Sequence, residues 1–270
     1  HTYGMDFALD QGWSTGFTLL NGELDAMSGT VKRNAASISG SFRSADVDWS
    51  SRLEYRKDSG AENRKVWASV NRLMYRVNED WRIAARINYA DTEDQTNPQA
   101  NARFTEANVG FAWRPHDSTR WALLGKYTYL YDLRSLGQDD AGSDQRSQVL
   151  SLEGAYQPDQ HWEFVTKLAY RKGEARMDRG VGPWYDSTAT FAALQTRYHL
   201  PFKWDALAEY RWLRTDVDRG TRDGWLLGVD RAINTNFRVG LGYNFTDFSG
   251  DMTNLDYDHR GWFLNFVGTY

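Results

Sequence analysis

The chain has 270 residues, a formal net charge of -4, no cysteine, and 12 Trp, 15 Tyr and 13 Phe. Such an aromatic content excludes a disordered chain, and the absence of cysteine excludes a disulfide framework and any cysteine-ligated zinc site. Acidic and basic residues are interspersed rather than gathered in a basic stripe, so no nucleic-acid partner is expected.

Apolar and polar residues alternate along the chain with a period of two. Between Trp204 and Trp212, every second residue is apolar or aromatic, whereas the residues between them include Asp205, Glu209 and Arg211. Side chains of a strand point alternately to opposite faces, so the pattern predicts strands with one apolar and one polar face. A helix would mix Arg and Trp on every face. No apolar stretch is long enough for a transmembrane helix.

Taken in chain order, the pattern predicts about 15 strands of about ten residues each. They lie near residues 2–9, 13–22, 31–42, 47–57, 65–77, 80–91, 104–114, 120–133, 147–157, 161–172, 186–200, 203–214, 224–233, 236–246 and 260–270. The predicted connections alternate strictly between short and long. The long ones, rich in Gly, Asp, Asn, Ser and Gln, lie near residues 23–30, 58–64, 92–103, 134–146, 173–185, 215–223 and 247–259.

An aromatic residue opens the strand after each short turn from Trp49 onward, and a second aromatic follows on the same parity. These membrane-interface candidates are Trp49 and Tyr55, Trp81 and Tyr89, Trp121 and Tyr129, Trp162 and Tyr170, Trp204 and Tyr210, and Phe237 and Tyr243. Six to eight residues of strand span roughly 20–25 Å. That length matches the apolar band of an outer-membrane barrel, which aromatic rows bound on both sides. A propeller also repeats, but its blades bury both sheet faces.

The last strand adds a second sign. Trp262, Leu264 and Phe266 alternate along it, and the chain ends on the aromatic Tyr270. In these features the chain resembles the outer-membrane β-barrel (porin-like) superfamily of Gram-negative bacteria over nearly its whole length. Members commonly end in such a strand, which the barrel-assembly machinery reads; here Tyr270 replaces the commoner Phe, and Gly268 stands where an apolar residue is frequent.

The resemblance implies an all-β fold, an antiparallel transmembrane β-barrel in the bacterial outer membrane that forms a single domain over residues 1–270. The implied partners are outer-membrane lipid, lipopolysaccharide and the barrel-assembly machinery, without a cofactor. Long loops of such barrels are extracellular, so 15 strands would start His1 on the extracellular side. Because bacterial single-chain barrels have even strand numbers, we expect at least one upstream strand and 16 in the complete barrel. The chain would then follow upstream domains of the same protein, which are one expected partner; periplasmic proteins are the alternative partner.

The polar parity carries the residues expected to line a pore. They are Arg52, Glu54, Arg56, Arg82, Arg86, Glu106, Lys126, Glu153, Glu163, Lys167, Arg171, Arg197, Asp205, Glu209, Arg211, Asp230 and Arg238, with Arg72 and Arg76 on the same parity. In one interpretation they line a water-filled, charge-selective channel. In the other they pair across neighbouring strands and stiffen the wall. Inward-folded loops that narrow the pore are expected at 91–103 or 135–146.

Two functions follow from these expectations. The first is a channel for ions, small hydrophilic solutes or an exported polymer, and the alternative is a membrane anchor or translocator at the C-terminus of a large surface protein. An enzyme is not expected. The histidines lie at turns, strand ends or loops, and no serine nucleophile stands beside His259. No metal site is expected either.

Overall fold

The computed structural model describes residues 1–27, 29–98, 101–133, 144–176, 181–216, 220–234, 236–248 and 260–268. None of the helices in these ranges has the length and apolar character needed to cross a membrane.

The described chain forms fifteen strands, which confirms the predicted number. Their bounds are β1 Thr2–Ala8, β2 Trp13–Ala26, β3 Gly29–Arg43, β4 Val47–Gly60, β5 Arg64–Arg76, β6 Trp81–Asp94, β7 Ala102–Trp113, β8 Trp121–Leu133, β9 Asp144–Tyr156, β10 Trp162–Arg176, β11 Tyr185–Leu200, β12 Trp204–Thr215, β13 Gly220–Ala232, β14 Phe237–Asn244 and β15 Gly261–Gly268. They follow one another in a single sheet in chain order, with β1 and β15 at its edges in the described part. The antiparallel all-β class is therefore confirmed.

Two compact units make up the chain. The first contains His1–Phe111, Tyr127–Gln148 and Gly173–Asp186, and the second contains Ala112–Lys126, Val149–Lys172 and Ser187–Tyr270. In both units we call the strand ends at the odd-numbered connections, beginning with β1 to β2, the turn end. The strand ends at the other connections are the loop end.

Most strands extend further at the loop end than predicted, whereas β14 ends at Asn244 instead of residue 246. The strictly alternating connection lengths are wrong in the first unit. Only Met27 and Ser28 separate β2 from β3, and only residues 61–63 separate β4 from β5. The pairing of β2 with β3 continues as far as Ala26 opposite Gly29. Segments 23–30 and 58–64 have the composition of solvated loops, but cross-strand ion pairs support strand pairing there.

Several turns close by the same device. Ser44 Oγ accepts from the Val47 amide at 3.0 Å, Asn78 Oδ1 accepts from the Trp81 amide at 2.8 Å, and Asp159 Oδ1 accepts from the Trp162 amide at 3.0 Å. Ser, Asn and Asp side chains favour such turns because they replace a backbone acceptor. The turn therefore fixes where the next strand begins, and with it the register of the hairpin.

Candidate functional site: the polar face of the sheet

Register assigns the side chains to two faces. On one face, Trp49 lies opposite Leu73 and Tyr55 opposite Trp67; on the other, Arg52 lies opposite Val70. Directly opposed residues share a face and alternate along each strand. We call these the aromatic face and the polar face.

All twelve predicted interface aromatics lie on the aromatic face. Rings contact one another between neighbouring strands near both ends: Trp13 and Phe42 have centroids 4.7 Å apart at the turn end, and Tyr55 and Trp67 are 4.8 Å apart at the loop end. In the second unit, Trp121 stacks on Tyr156 at 4.1 Å. Many of these rings remain exposed, Trp121 by 48%. Exposed rings in two rows are typical of a surface that meets lipid at both interfaces.

The terminal strand has the predicted alternation. Trp262 lies opposite Tyr243, Leu264 opposite Leu241, and Phe266 opposite Val239, so all three belong to the aromatic face. Tyr270, the last residue of the predicted assembly signal, lies outside the described residues. Recognition of this strand by the assembly machinery stays a prediction.

All seventeen predicted pore-lining residues lie on the polar face. In the first unit these are Arg52, Glu54, Arg56, Arg82, Arg86 and Glu106; in the second they are Lys126, Glu153, Glu163, Lys167, Arg171, Arg197, Asp205, Glu209, Arg211, Asp230 and Arg238. Arg197 of β11 lies 3.5 Å from Glu163 of β10, a pair across neighbouring strands as the second interpretation expected. Arg52 bonds Glu54 at 3.0 Å, but this pair lies within β4. The contribution of these residues to conduction stays a prediction.

A row of alternating charge crosses four strands of the first unit at the loop end. Arg33 lies opposite Asp58, Asp58 opposite Arg64, and Arg64 opposite Asp94. Arg33 donates to both carboxylate oxygens of Asp58 at 2.8 and 2.9 Å, and Arg64 donates to Asp94 at 3.1 Å. The charges are therefore compensated along the whole row, which we call the loop-end row.

The loop-end row lies beyond the aromatic row that contains Tyr55, outside the predicted apolar band. The pKa values of its two carboxyl groups differ from the ordinary value. Burial raises the pKa of Asp58, but the hydrogen bond and charge of Arg33 and the charge of Arg56 outweigh it, so the pKa is lowered. The Asn97 amide hydrogen bond is the main cause of the lowered pKa of Asp94, and burial opposes it. Both carboxylates are therefore held ionised.

Four arginines occupy the turn end of the polar face in β5 and β6. Arg72 lies opposite Arg86, and Arg76 lies opposite Arg82. All four side chains are exposed. Within the described ranges, no ion pair joins any of them to a carboxylate. We call this set the arginine quartet.

Like charges also lie opposite each other at the turn end of the second unit, but there a residue of opposite charge neutralises them. Asp205 lies opposite Asp230, and Arg238 bonds both carboxylates, that of Asp230 at 2.8 Å. His199 Nδ1 lies 2.6 Å from Asp205 Oδ1. His199 lies at the end of β11 and joins this charged cluster through the Asp205 carboxylate. Asp205 is 5% exposed.

The described start of the last long connection, residues 245–248, also packs on the polar face of the second unit. Phe248 belongs to a buried cluster with Phe191 and Leu213, which oppose each other on that face. Thr246 lies over Gly224, where a Cβ atom would approach the Thr246 methyl to 2.9 Å. Gly224 therefore leaves the space that this segment fills. The predicted inward segments were 91–103 and 135–146, and most of the latter lies outside the described residues.

Sequence reasoning missed the loop-end row, because it assigned Asp58 and Arg64 to a loop, and it missed the inward segment at 245–248. Alternation of sign at Arg33, Asp58 and Arg64 was the available signal for the row. Nothing in the sequence indicates that Phe248 turns inward, since Phe245 and Phe248 also suit the aromatic face.

Comparison with known proteins finds matches only among solved structures: no family model and no curated protein matches. The siderophore receptor PirA from Pseudomonas aeruginosa superposes with a TM-score of 0.60 at 12% identity, over 89% of this chain and 46% of that chain. BauA, the ferric preacinetobactin receptor from Acinetobacter baumannii, gives 0.55 at 12% identity, over 98% and 54%. The ferric citrate transporter FecA gives 0.53 at 11% identity, over 87% and 44%.

The chain thus spans about half the length of the solved structures it resembles. Those structures are outer-membrane β-barrels, so the resemblance predicted from the sequence is confirmed at the level of the fold, and the predicted outer-membrane location agrees with it. The chain has the fold of the bacterial outer-membrane β-barrel superfamily.

Proposed function

We propose that this chain forms the wall of an outer-membrane channel for ions and small hydrophilic solutes. One observation carries the proposal: all seventeen charged residues that were predicted to line a pore lie on the polar face, and the opposite face carries exposed aromatic rings. A sheet with these two faces suits a barrel with lipid outside and water inside. Wide barrels of this kind leave an aqueous lumen unless a loop or domain fills it.

The segment at residues 245–248 is the part of the chain that would narrow the lumen. It buries Thr246 and Phe248 against the polar face, where the Phe191 side chain is 1% exposed. We propose that this segment restricts the passage of solutes, so that the channel passes small molecules more readily than polymers. Export of a polymer would require the segment to move. No catalytic step is part of the proposal.

The test is single-channel recording of the full natural protein in planar bilayers. Stepwise current in potassium chloride is expected, and the double variant Phe191→Ala with Phe248→Ala should raise the unit conductance because it opens the narrowed region. As a matched control, Phe17→Ala with Phe237→Ala removes two rings from the aromatic face and should leave the conductance unchanged. Inserted protein that never conducts, even without residues 245–260, would favour the alternative function of a membrane anchor or translocator.

A further inference from the structure

The arginine quartet has a geometry that a wall-stiffening role does not explain. Arg72 and Arg86 form one rung and Arg76 and Arg82 a second, with Met74 opposite Ala84 between them. Directly opposed side chains have Cβ atoms about 5 Å apart, and like charges at that distance destabilise a sheet. The two rungs are four residues, or roughly 13 Å, apart along the strands. The fold therefore concentrates four positive charges on one exposed area.

The side chains that accept hydrogen bonds from the quartet carry no charge. Arg72 Nη2 lies 3.0 Å from the Met74 sulfur, and Arg86 donates to the Asn88 amide oxygen at 3.3 Å, so both of these partners are uncharged.

The carboxylates of the flanking strands have other partners. Asp48, which lies opposite Met74, forms an ion pair with Arg43 at 3.2 Å. Glu106 accepts hydrogen bonds from Asn88 and Asn108.

The loop-end row of the same unit makes the difference clear. There, Arg33 and Arg64 each have a carboxylate directly opposite. At the quartet, the positions opposite the arginines across the β5–β6 pair hold further arginines, whereas on the β4 side Ser50 lies opposite Arg72 and the Asp46 carbonyl oxygen accepts from the Arg76 amide. A guanidinium presents donors in a planar fork that fits the oxygens of phosphate or carboxylate groups bidentately. Two rungs of such forks suit an anion with two or more charged oxyanion groups better than chloride.

We infer that Arg72, Arg76, Arg82 and Arg86 form a binding site for a multivalent oxyanion of the phosphate type. The place of this site inside a water-filled channel rests on the proposed function, whereas the binding itself does not. In a conducting channel, the site would concentrate anionic solutes at the turn end. A phosphate group could belong to a free solute or to a lipid headgroup, and the polar face favours the free solute.

The test is calorimetric titration of the full natural protein in detergent with inorganic pyrophosphate. The variants are Arg72→Gln with Arg86→Gln, and Arg76→Gln with Arg82→Gln. Each should weaken binding about tenfold or more, because each removes two charge-assisted contacts. The matched control is Lys57→Gln with Lys65→Gln. Those lysines also oppose each other, but on the aromatic face, so binding should change by less than about twofold.

Three outcomes would overturn the inference: no binding of pyrophosphate by the unchanged protein, equal weakening in the lysine control, or full affinity in both arginine variants. Replacing the same arginines by Lys keeps the charge and serves if a glutamine variant does not fold; loss of the forks should still weaken binding. Titration with micelles of a short-chain phosphatidic acid separates the sources. Binding of these micelles that depends on the quartet would overturn the choice of a free anion.

A bilayer recording keeps the two proposals distinct. Pyrophosphate should block current through the unchanged protein and block the rung variants only at higher concentration. A protein that binds pyrophosphate but never conducts refutes the channel and leaves the binding site supported. A protein that conducts but fails to bind pyrophosphate refutes the site and leaves the channel supported.

Discussion

The turn ends of the two units oppose like charges in different ways. In the first unit, Arg72 lies opposite Arg86 and no carboxylate of the described residues joins them. In the second unit, Asp205 lies opposite Asp230, and Arg238 from the next strand binds both. The two regions show that the sign of the charges on a face does not decide whether they are compensated. The residue that the third strand contributes does.

Removing the compensating residue should have the largest effect. Arg238→Ala leaves Asp205 and Asp230 opposed and partly buried, and we expect the free energy of unfolding to fall by about 3 kcal/mol. Urea unfolding of the protein in lipid vesicles measures the change. Adding Asp230→Asn should restore part of the loss, because one of the two repelling charges disappears. A loss no larger than that of Arg231→Ala, an arginine on the aromatic face, would contradict the comparison.

A somewhat smaller effect is expected when the loop-end row is made to resemble the quartet. Asp58 is 2% exposed and separates Arg33 from Arg64. Asp58→Asn keeps the shape but leaves arginines without their carboxylate, so the free energy of unfolding should fall by about 2 kcal/mol. The same urea unfolding measures it. Glu23→Gln, in an exposed pair with Lys32, should be nearly neutral, and an equal loss there would refute the explanation.

Removing a charge from the quartet should raise the free energy of unfolding instead of lowering it. Arg86→Gln removes one of two directly opposed positive charges, and we expect the protein to become more stable by about 0.5–1 kcal/mol. The gain should be larger at low salt than at high salt, since these side chains are exposed and screened. A loss of stability would mean that Arg86 is held by contacts within the protein, which would also weaken the case for an external anion.

Acidic pH should change the stability contribution of the loop-end row but not that of the quartet, and this is the smallest of the expected effects. The pKa of Asp58 is lowered in the folded state, so its contribution is present above the ordinary carboxyl pKa of about 3.9 and is lost as the pH falls through the lowered value. The difference in unfolding free energy between the unchanged protein and Asp58→Asn should therefore be constant from about pH 7 to 5 and shrink below about pH 4. For Arg86→Gln, protonation of this carboxylate should leave the difference unchanged, because arginine keeps its charge.

The sequence predicted correctly which sheet face each side chain lies on, but not which residue lies opposite it on the next strand. Even spacing puts Trp81 and Tyr89 on one face whatever the register, so the aromatic rows follow from alternation alone. That Arg72 opposes Arg86 depends on the turn that Asn78 closes, because a shift of one residue would change every pair. Likewise, the composition of segment 58–64 predicts a loop, and only the pairing of Asp58 with Arg64 shows a hairpin.

Within the described residues, each strand pairs only with the strands before and after it in the chain. In such a meander, adding or losing one hairpin changes the strand number by two and leaves every other register intact. The turns stay at one end and the loops at the other. A lineage can therefore alter the number of strands in such a sheet by duplicating short stretches of gene, while each new pair of strands brings its own aromatic rows. Because pairing is confined to neighbouring strands, the entropic cost of closing each hairpin is limited by the length of that hairpin.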